Sequence, residues 1–119
     1  MDSAVRGFGE PDEVRPAGKG EVDVMDVAGS KVMRVRFEPG WRWADDVKPI
    51  VNTESCQGDH LGYAVSGTLM VETAEGAEVT ISAGDVYVIK PGHLAWVSGD
   101  EAFTGVEFQS TTAQSYAKK

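Results

Sequence analysis

The sequence predicts one all-β domain built as a jelly-roll β-barrel, and three observations predict it. From Glu21 onward the chain is a succession of short runs rich in Val, Ile, Thr and aromatic residues, each closed by Gly, Pro or Asp, at the spacing that marks sandwiches and barrels. Helical periodicity is weak throughout. The 119 residues, 41% of them apolar, suffice for a single hydrophobic core and leave no room for a second.

Residues 1–20 are rich in Gly, Pro and charge and show no sustained period, so they are expected to form a loosely held arm. Its Val5, Phe8 and Val14 are candidates to pack on a neighbour. The barrel is expected over residues 21–109, with strands at 21–27, 31–38, 60–66, 68–73, 78–82, 85–89, 93–98 and 103–108. Eight strands joined by tight turns fit a jelly roll. In the second run Met33, Val35 and Phe37 share one face while Val32, Arg34 and Arg36 share the other, which is the alternation of a half-buried antiparallel strand.

Residues 40–59 break the rhythm and read as a long loop carrying Trp41 and Trp43 beside Asp45, Asp46 and Lys48. Loops of this length in a compact domain are often binding loops or lids. The alternative is that the two tryptophans plug one end of the barrel, since Trp is highly buried on average. In strand 60–66, His60, Gly62, Ala64 and Ser66 have one parity, and the small companions of His60 predict empty volume in front of it. Leu61, Tyr63 and Val65 have the other parity, an apolar stripe that needs a cover, either the arm or a second copy; a homodimer is expected. The tail, 110–119, is expected to form one helical turn or fray.

Nineteen acidic against eleven basic residues give a net charge of −8, which repels phosphate backbones and argues against nucleic-acid binding. No stretch approaches the roughly 20 apolar residues of a membrane helix, and the N-terminus lacks a basic and then apolar run, so a cytoplasmic protein with no membrane partner is expected. With Cys56 the one cysteine, an intramolecular disulfide is impossible, and the residue is either a small buried hydrophobe or a functional thiol.

Two stretches resemble the paired motifs of the cupin family, written G-x5-H-x-H-x3,4-E-x6-G and G-x5-P-x-G-x2-H-x3-N. Anchored on Gly67, the first places His60 at the family's glutamate and Glu54 and Cys56 at its two histidines. If Gly40 opens that motif, the loop to Glu54 is about eight residues longer than the pattern and carries Trp43. Anchored on Gly84, the second places Lys90 at the proline, Gly92 at the glycine, Ala95 at the histidine and Gly99 at the asparagine; a histidine stands instead at His93. His93 and Ala95 are two apart on an expected strand and share a face, so the shifted ligand still enters the same cavity. The resemblance, over about residues 21–108, is to small single-domain bacterial cupins. It implies the barrel fold but no single reaction, because isomerases, oxygenases, lyases, decarboxylases and binding proteins share that barrel.

Glu54, Cys56, His60 and His93 offer one carboxylate, one thiolate and two imidazoles, a set suited to a divalent transition metal, Zn²⁺ or Fe²⁺, rather than Ca²⁺ or Mg²⁺. Four protein ligands would saturate tetrahedral zinc, so a catalytic zinc site requires Glu54 to stay free as a general base, whereas six-coordinate iron can hold all four. Such a centre would act on or bind a small organic acid or carbonyl compound. A second possibility is a metal-free enzyme with Cys56 as a thiolate nucleophile activated by a histidine. A third is a small-molecule binding or sensing module with Trp41, Trp43, Tyr63 and Trp96 as aromatic walls and Lys90 or Arg42 as anion anchors.

Overall fold

A computed structural model describes residues 3–108 and 116–118. The described chain contains nine strands: β1 (Glu13–Pro16), β2 (Gly20–Val27), β3 (Ser30–Phe37), β4 (His60–Ser66), β5 (Thr68–Glu72), β6 (Glu78–Ser82), β7 (Val86–Ile89), β8 (Leu94–Val97) and β9 (Phe103–Phe108), with short helices α1 (Trp43–Asp46) and α2 (Lys48–Val51) between β3 and β4. All eight expected strands are present. They form an antiparallel six-stranded sheet in the order β1-β2-β3-β9-β4-β7 and a three-stranded sheet in the order β6-β5-β8.

Period-2 patterning accounts for the layers. In β3, Met33, Val35 and Phe37 are buried, whereas Arg36 is exposed and Val32 and Arg34 are half-buried. Phe103, at 0% exposure, packs from β9 against Phe37 with ring centroids 6.5 Å apart. Leu69, Val71, Ile81, Ala95 and Val97 supply the facing layer from the three-stranded sheet, so both sheets close on one core. The turn joining β4 and β5 depends on Gly67 at φ +78, where any Cβ would collide with the Ala102 carbonyl.

The arm is not loose over its whole length. Residues 13–16 pair antiparallel with β2 in the register Glu13↔Val24 to Pro16↔Glu21. Hydrophobic patterning misses this strand because its apolar residue, Val14, faces solvent while its buried residue is Arg15. The Arg15 guanidinium is gripped by the Glu13 carboxylate at 2.9 and 3.0 Å and donates to the Tyr116 carbonyl at 3.0 Å. Arg6 donates to Asp12 at 2.8 Å and to the Asp26 carbonyl at 2.9 Å, and Phe8 lies beneath the Arg34 guanidinium, 4.8 Å from ring centre to charge. Val5 is 95% exposed. Of the expected tail, only Tyr116–Lys118 fall among the described residues, and Tyr116 is buried.

The long segment 40–59 is a connector with two helical turns, and its tryptophans belong to the core. Trp41 stacks on Phe37 at 3.7 Å and donates its indole N–H to the Ala17 carbonyl at 3.0 Å. Helix α2 ends at Asn52, whose left-handed φ of 59 turns the chain back toward the barrel.

Candidate metal centre

Cys56 and His93 are brought together by backbone pairing. They form an isolated antiparallel bridge in which the Cys56 N–H donates to the His93 carbonyl at 2.8 Å and the Gly92 N–H donates to the Cys56 carbonyl at 2.7 Å. Gly92, at φ +93, supplies the left-handed turn that lets Pro91-Gly92 double back into this bridge. His60, the first residue of β4, enters from the other sheet by the inward parity that also buries Gly62 and Ala64.

The Cys56 thiol and the metal-competent nitrogens of His60 and His93 lie within 4.8 Å of one another, and all three residues are buried. Sγ stands 3.6 Å from His60 Nε2, and the Gly58 N–H points at the same sulfur from 3.4 Å. Each imidazole has its other nitrogen on an acceptor: His60 Nδ1 on Glu107 Oε1 at 2.8 Å, His93 Nδ1 on the Lys90 carbonyl at 2.7 Å. That arrangement fixes both rings and aims the remaining nitrogens toward the Cys56 sulfur, the outer-shell pattern of metal-binding histidines. Glu107 is held in turn by the Tyr87 hydroxyl, which donates to Oε2 at 2.9 Å.

The electrostatics favour a thiolate. Burial pushes the Cys56 thiol up, but hydrogen bonds from His60 and then His93 outweigh it and bring it down to about 6. Burial likewise disfavours His60 protonation, yet the Glu107 charge and the contact with Cys56 together raise its pKa well above the ordinary imidazole range. Burial first, then the Glu107 charge, raises Tyr87 and keeps its hydroxyl a neutral donor. One thiolate and two imidazoles match the ligand chemistry of zinc or ferrous iron and leave a further coordination position open.

The other expected site residues are placed differently. Glu54 does not join the cluster: it is 96% exposed and paired with Lys48 at 3.3 Å. Parity counting fails there because residues 53–55 turn, with Thr53 Oγ1 donating to the Ser55 carbonyl, instead of running extended. Tyr63 is on the outer face of β4. Trp96 is on the face of β8 opposite the buried Ala95 and Val97, with the Arg42 guanidinium 5.6 Å from its ring centre. Lys90 is solvent-exposed and paired with Asp59 at 3.6 Å. The volume expected before His60 is filled by Tyr87, whose ring tip lies where a Cβ on Gly62 or Gly105 would be. Those two glycines make room for the tyrosine and not for a ligand.

Two cavities adjoin the cluster. An interior one of about 20 Å³ is lined by Trp41, Trp43, His60, His93, Glu107 and Tyr116 among others. A larger cleft of about 470 Å³ runs along β7 between the two sheets, with Val71, Ile81 and Ile89 in its walls, Lys90 at its rim and His93 at its inner end. His93 therefore borders both. Glu107, Tyr87 and Tyr116 are the site residues that the sequence reading missed. Glu107 carried a usable signal, since Phe103, Gly105 and Glu107 share the inward parity of β9 and a carboxylate on that face needs a partner.

Comparison with solved structures decides the fold. A protein of unknown function from Rhizobium leguminosarum aligns with a TM-score of 0.62 at 18% identity, covering 91% of this chain and 97% of that one. An RmlC-like cupin from Shewanella frigidimarina aligns at 0.55 and 15% identity over 91% and 95%. A cupin-like protein from Thermotoga maritima aligns at 0.55 and 19% over 97% and 85%. The fold is that of the cupins. No model of a protein family and no curated protein matches the sequence. On the cupin barrel, the shifted first motif places Cys56 and His60 in the cluster and leaves Glu54 outside it. His93 and Ala95 both line the interior cavity, as their shared parity requires.

Proposed function

We propose that this cupin holds a divalent transition metal, zinc or iron, through Cys56, His60 and His93 and binds or transforms a small organic acid or carbonyl compound. The observation that carries the reading is the convergence of three buried donor atoms within 4.8 Å, with each histidine's other nitrogen already committed to an acceptor. Bound there, such a metal would supply Lewis acidity toward an oxygen atom at its open position. The protein's part is orientation: Glu107 and the Lys90 carbonyl aim the imidazoles, and the Cys56–His93 bridge fixes the sulfur. Glu54, turned to solvent, has neither a ligand's nor a base's place in this scheme.

The organic ligand is assigned to the cleft along β7, whose 470 Å³ lies in the usual range for small-molecule sites and whose inner end is His93. Lys90, paired with Asp59, lines the cleft together with Glu75 and Asp85. One similar structure, an oxalate oxidase with TM-score 0.54 and 20% identity, of which this chain covers 59%, is in complex with glycolate, itself a small carboxylate.

The test is elemental analysis of the full chain purified without added metal. Near-stoichiometric zinc or iron, lost in Cys56→Ala and in His60→Ala, supports the centre, whereas a metal-free chain that also fails to take up added zinc rejects it. The contact between Sγ and His60 Nε2 favours one second reading, a thiolate nucleophile without metal. The burial of Cys56, 4% exposed, counts against it because a nucleophile must meet its substrate. Rapid alkylation of the metal-free protein at neutral pH, slowed in His93→Ala, would reverse that preference.

We also propose a homodimer through the outer face of the six-stranded sheet. Leu61, Tyr63 and Val65 of β4, Val86 and Val88 of β7 and Phe108 of β9 are each 43–73% exposed there, and the register sets Leu61 beside Val88 and Tyr63 beside Val86. Six neighbouring exposed apolar side chains on one sheet face form the contiguous kind of patch that marks an interaction site. A second copy offers the same area by symmetry.

A further inference from the structure

Trp43 Nε1 is the one buried side-chain nitrogen or oxygen among the described residues that lacks a hydrogen-bond partner. The residue is 1% exposed, so bulk water does not reach it. Buried polar groups are paired, by ordered small molecules where no protein atom serves. Trp43 lines the interior cavity together with His60 and His93, and that cavity, about 20 Å³, holds about one water-sized molecule.

The protein atoms around the cavity do not supply the missing acceptor. Glu107 lines the same cavity, but its carboxylate, which accepts from His60 and Tyr87, makes no hydrogen bond to Trp43 Nε1, and the histidine Nδ1 atoms are turned to Glu107 and the Lys90 carbonyl. Indole nitrogen only donates. Whatever completes the site must therefore bring its own acceptor atom and be no larger than one or two heavy atoms.

We infer that the cavity is a chamber for such a ligand, an acceptor of one or two heavy atoms that takes the Trp43 indole hydrogen and reaches the open position of the centre from the side of His60 and His93, the two donors in the cavity's lining. The inference rests on the metal-centre reading and deepens it by dividing the site in two. A small acceptor sits inside and an organic ligand stays in the cleft, with His93 between them. The edge-on Tyr116 ring, 5.6 Å from His60, closes the chamber on the side of the tail.

The test uses cyanide as the small acceptor and acetate as an organic anion too large for the chamber. With the cobalt-loaded full chain, cyanide is expected to shift the visible bands and acetate at equal concentration to leave them unchanged. In the zinc-loaded, nitrogen-15-labelled chain, the Trp43 indole N–H resonance is expected to move downfield on adding cyanide. Trp43→Phe should weaken cyanide binding about tenfold, the loss of one hydrogen bond to an anion, while cobalt affinity stays the same. The wild-type resonance reads the same contact should that variant fail to fold. Equal binding of acetate, or a Trp43 resonance unmoved while the cobalt bands shift, overturns the chamber and leaves the metal centre standing. A chain in which cobalt bands never appear overturns both.

Discussion

Glu107 is the residue on which the orientation of the site depends. Its carboxylate is 3% exposed and bridges His60 Nδ1 and the Tyr87 hydroxyl, so it holds one ligand ring while being held itself. Its charge is also the largest of the influences that raise the His60 pKa against burial. Glu107→Gln keeps the size of the side chain and removes the charge. The account predicts a metal affinity lower by about 10- to 100-fold, the usual cost of losing an outer-shell carboxylate, together with a lower His60 pKa in the metal-free protein. Competition with a chromophoric chelator reads the first, and histidine ring NMR across pH reads the second. Unchanged values of both would show that Glu107 serves packing alone.

At the scale of elements, the arm is attached by charge and backbone where apolar packing is scarce. Asp12 accepts from Arg6 and from the Asp26 N–H, and these contacts hold its carboxyl at about 2, below its ordinary 3.8. A carboxyl whose pKa is lowered on folding contributes its stability above the unfolded value and loses it as pH falls through the folded one. The protection factor of the Asp26 amide, its exchange rate relative to that of an unstructured chain at the same pH, should therefore stay constant above pH 4 and fall as pH drops toward 2, ahead of those of the β9 amides. Simultaneous loss would mean that the arm has no separate attachment. The same contrast explains what was legible in the sequence. Strands β3, β4, β5, β7, β8 and β9 were readable because their burial alternates with period 2, and β2 and β6, which do not alternate, because β-favouring residues run between turn residues. β1 was not, since an arginine neutralised by Glu13 takes the buried place that patterning assigns to an apolar residue. Cys56, His60 and His93 were readable as scarce residue types in the two motif-bearing segments. Glu54 was misplaced because parity holds only along extended chain, and Tyr87 was missed because its space comes from Gly62 and Gly105 on two other strands.

The whole molecule joins two sheets over a single core, with the three donors arriving from a strand of the large sheet and from the bridge beside the small one. The proposed metal at that seam would tie the sheets together, and the proposed second copy would cover the apolar outer face. Val88→Asp, on a side chain 59% exposed, should cost the fold little and yield a monomer by sedimentation at concentrations where the parent chain is a dimer. A parent chain that sediments as a monomer contradicts the interface. The central claim is that one sulfur and two nitrogens of this chain share a single metal ion. X-ray absorption at the edge of the bound metal measures this most directly. For zinc the account predicts one sulfur at about 2.3 Å and two imidazole nitrogens at about 2.0–2.1 Å; a first shell without sulfur would contradict it.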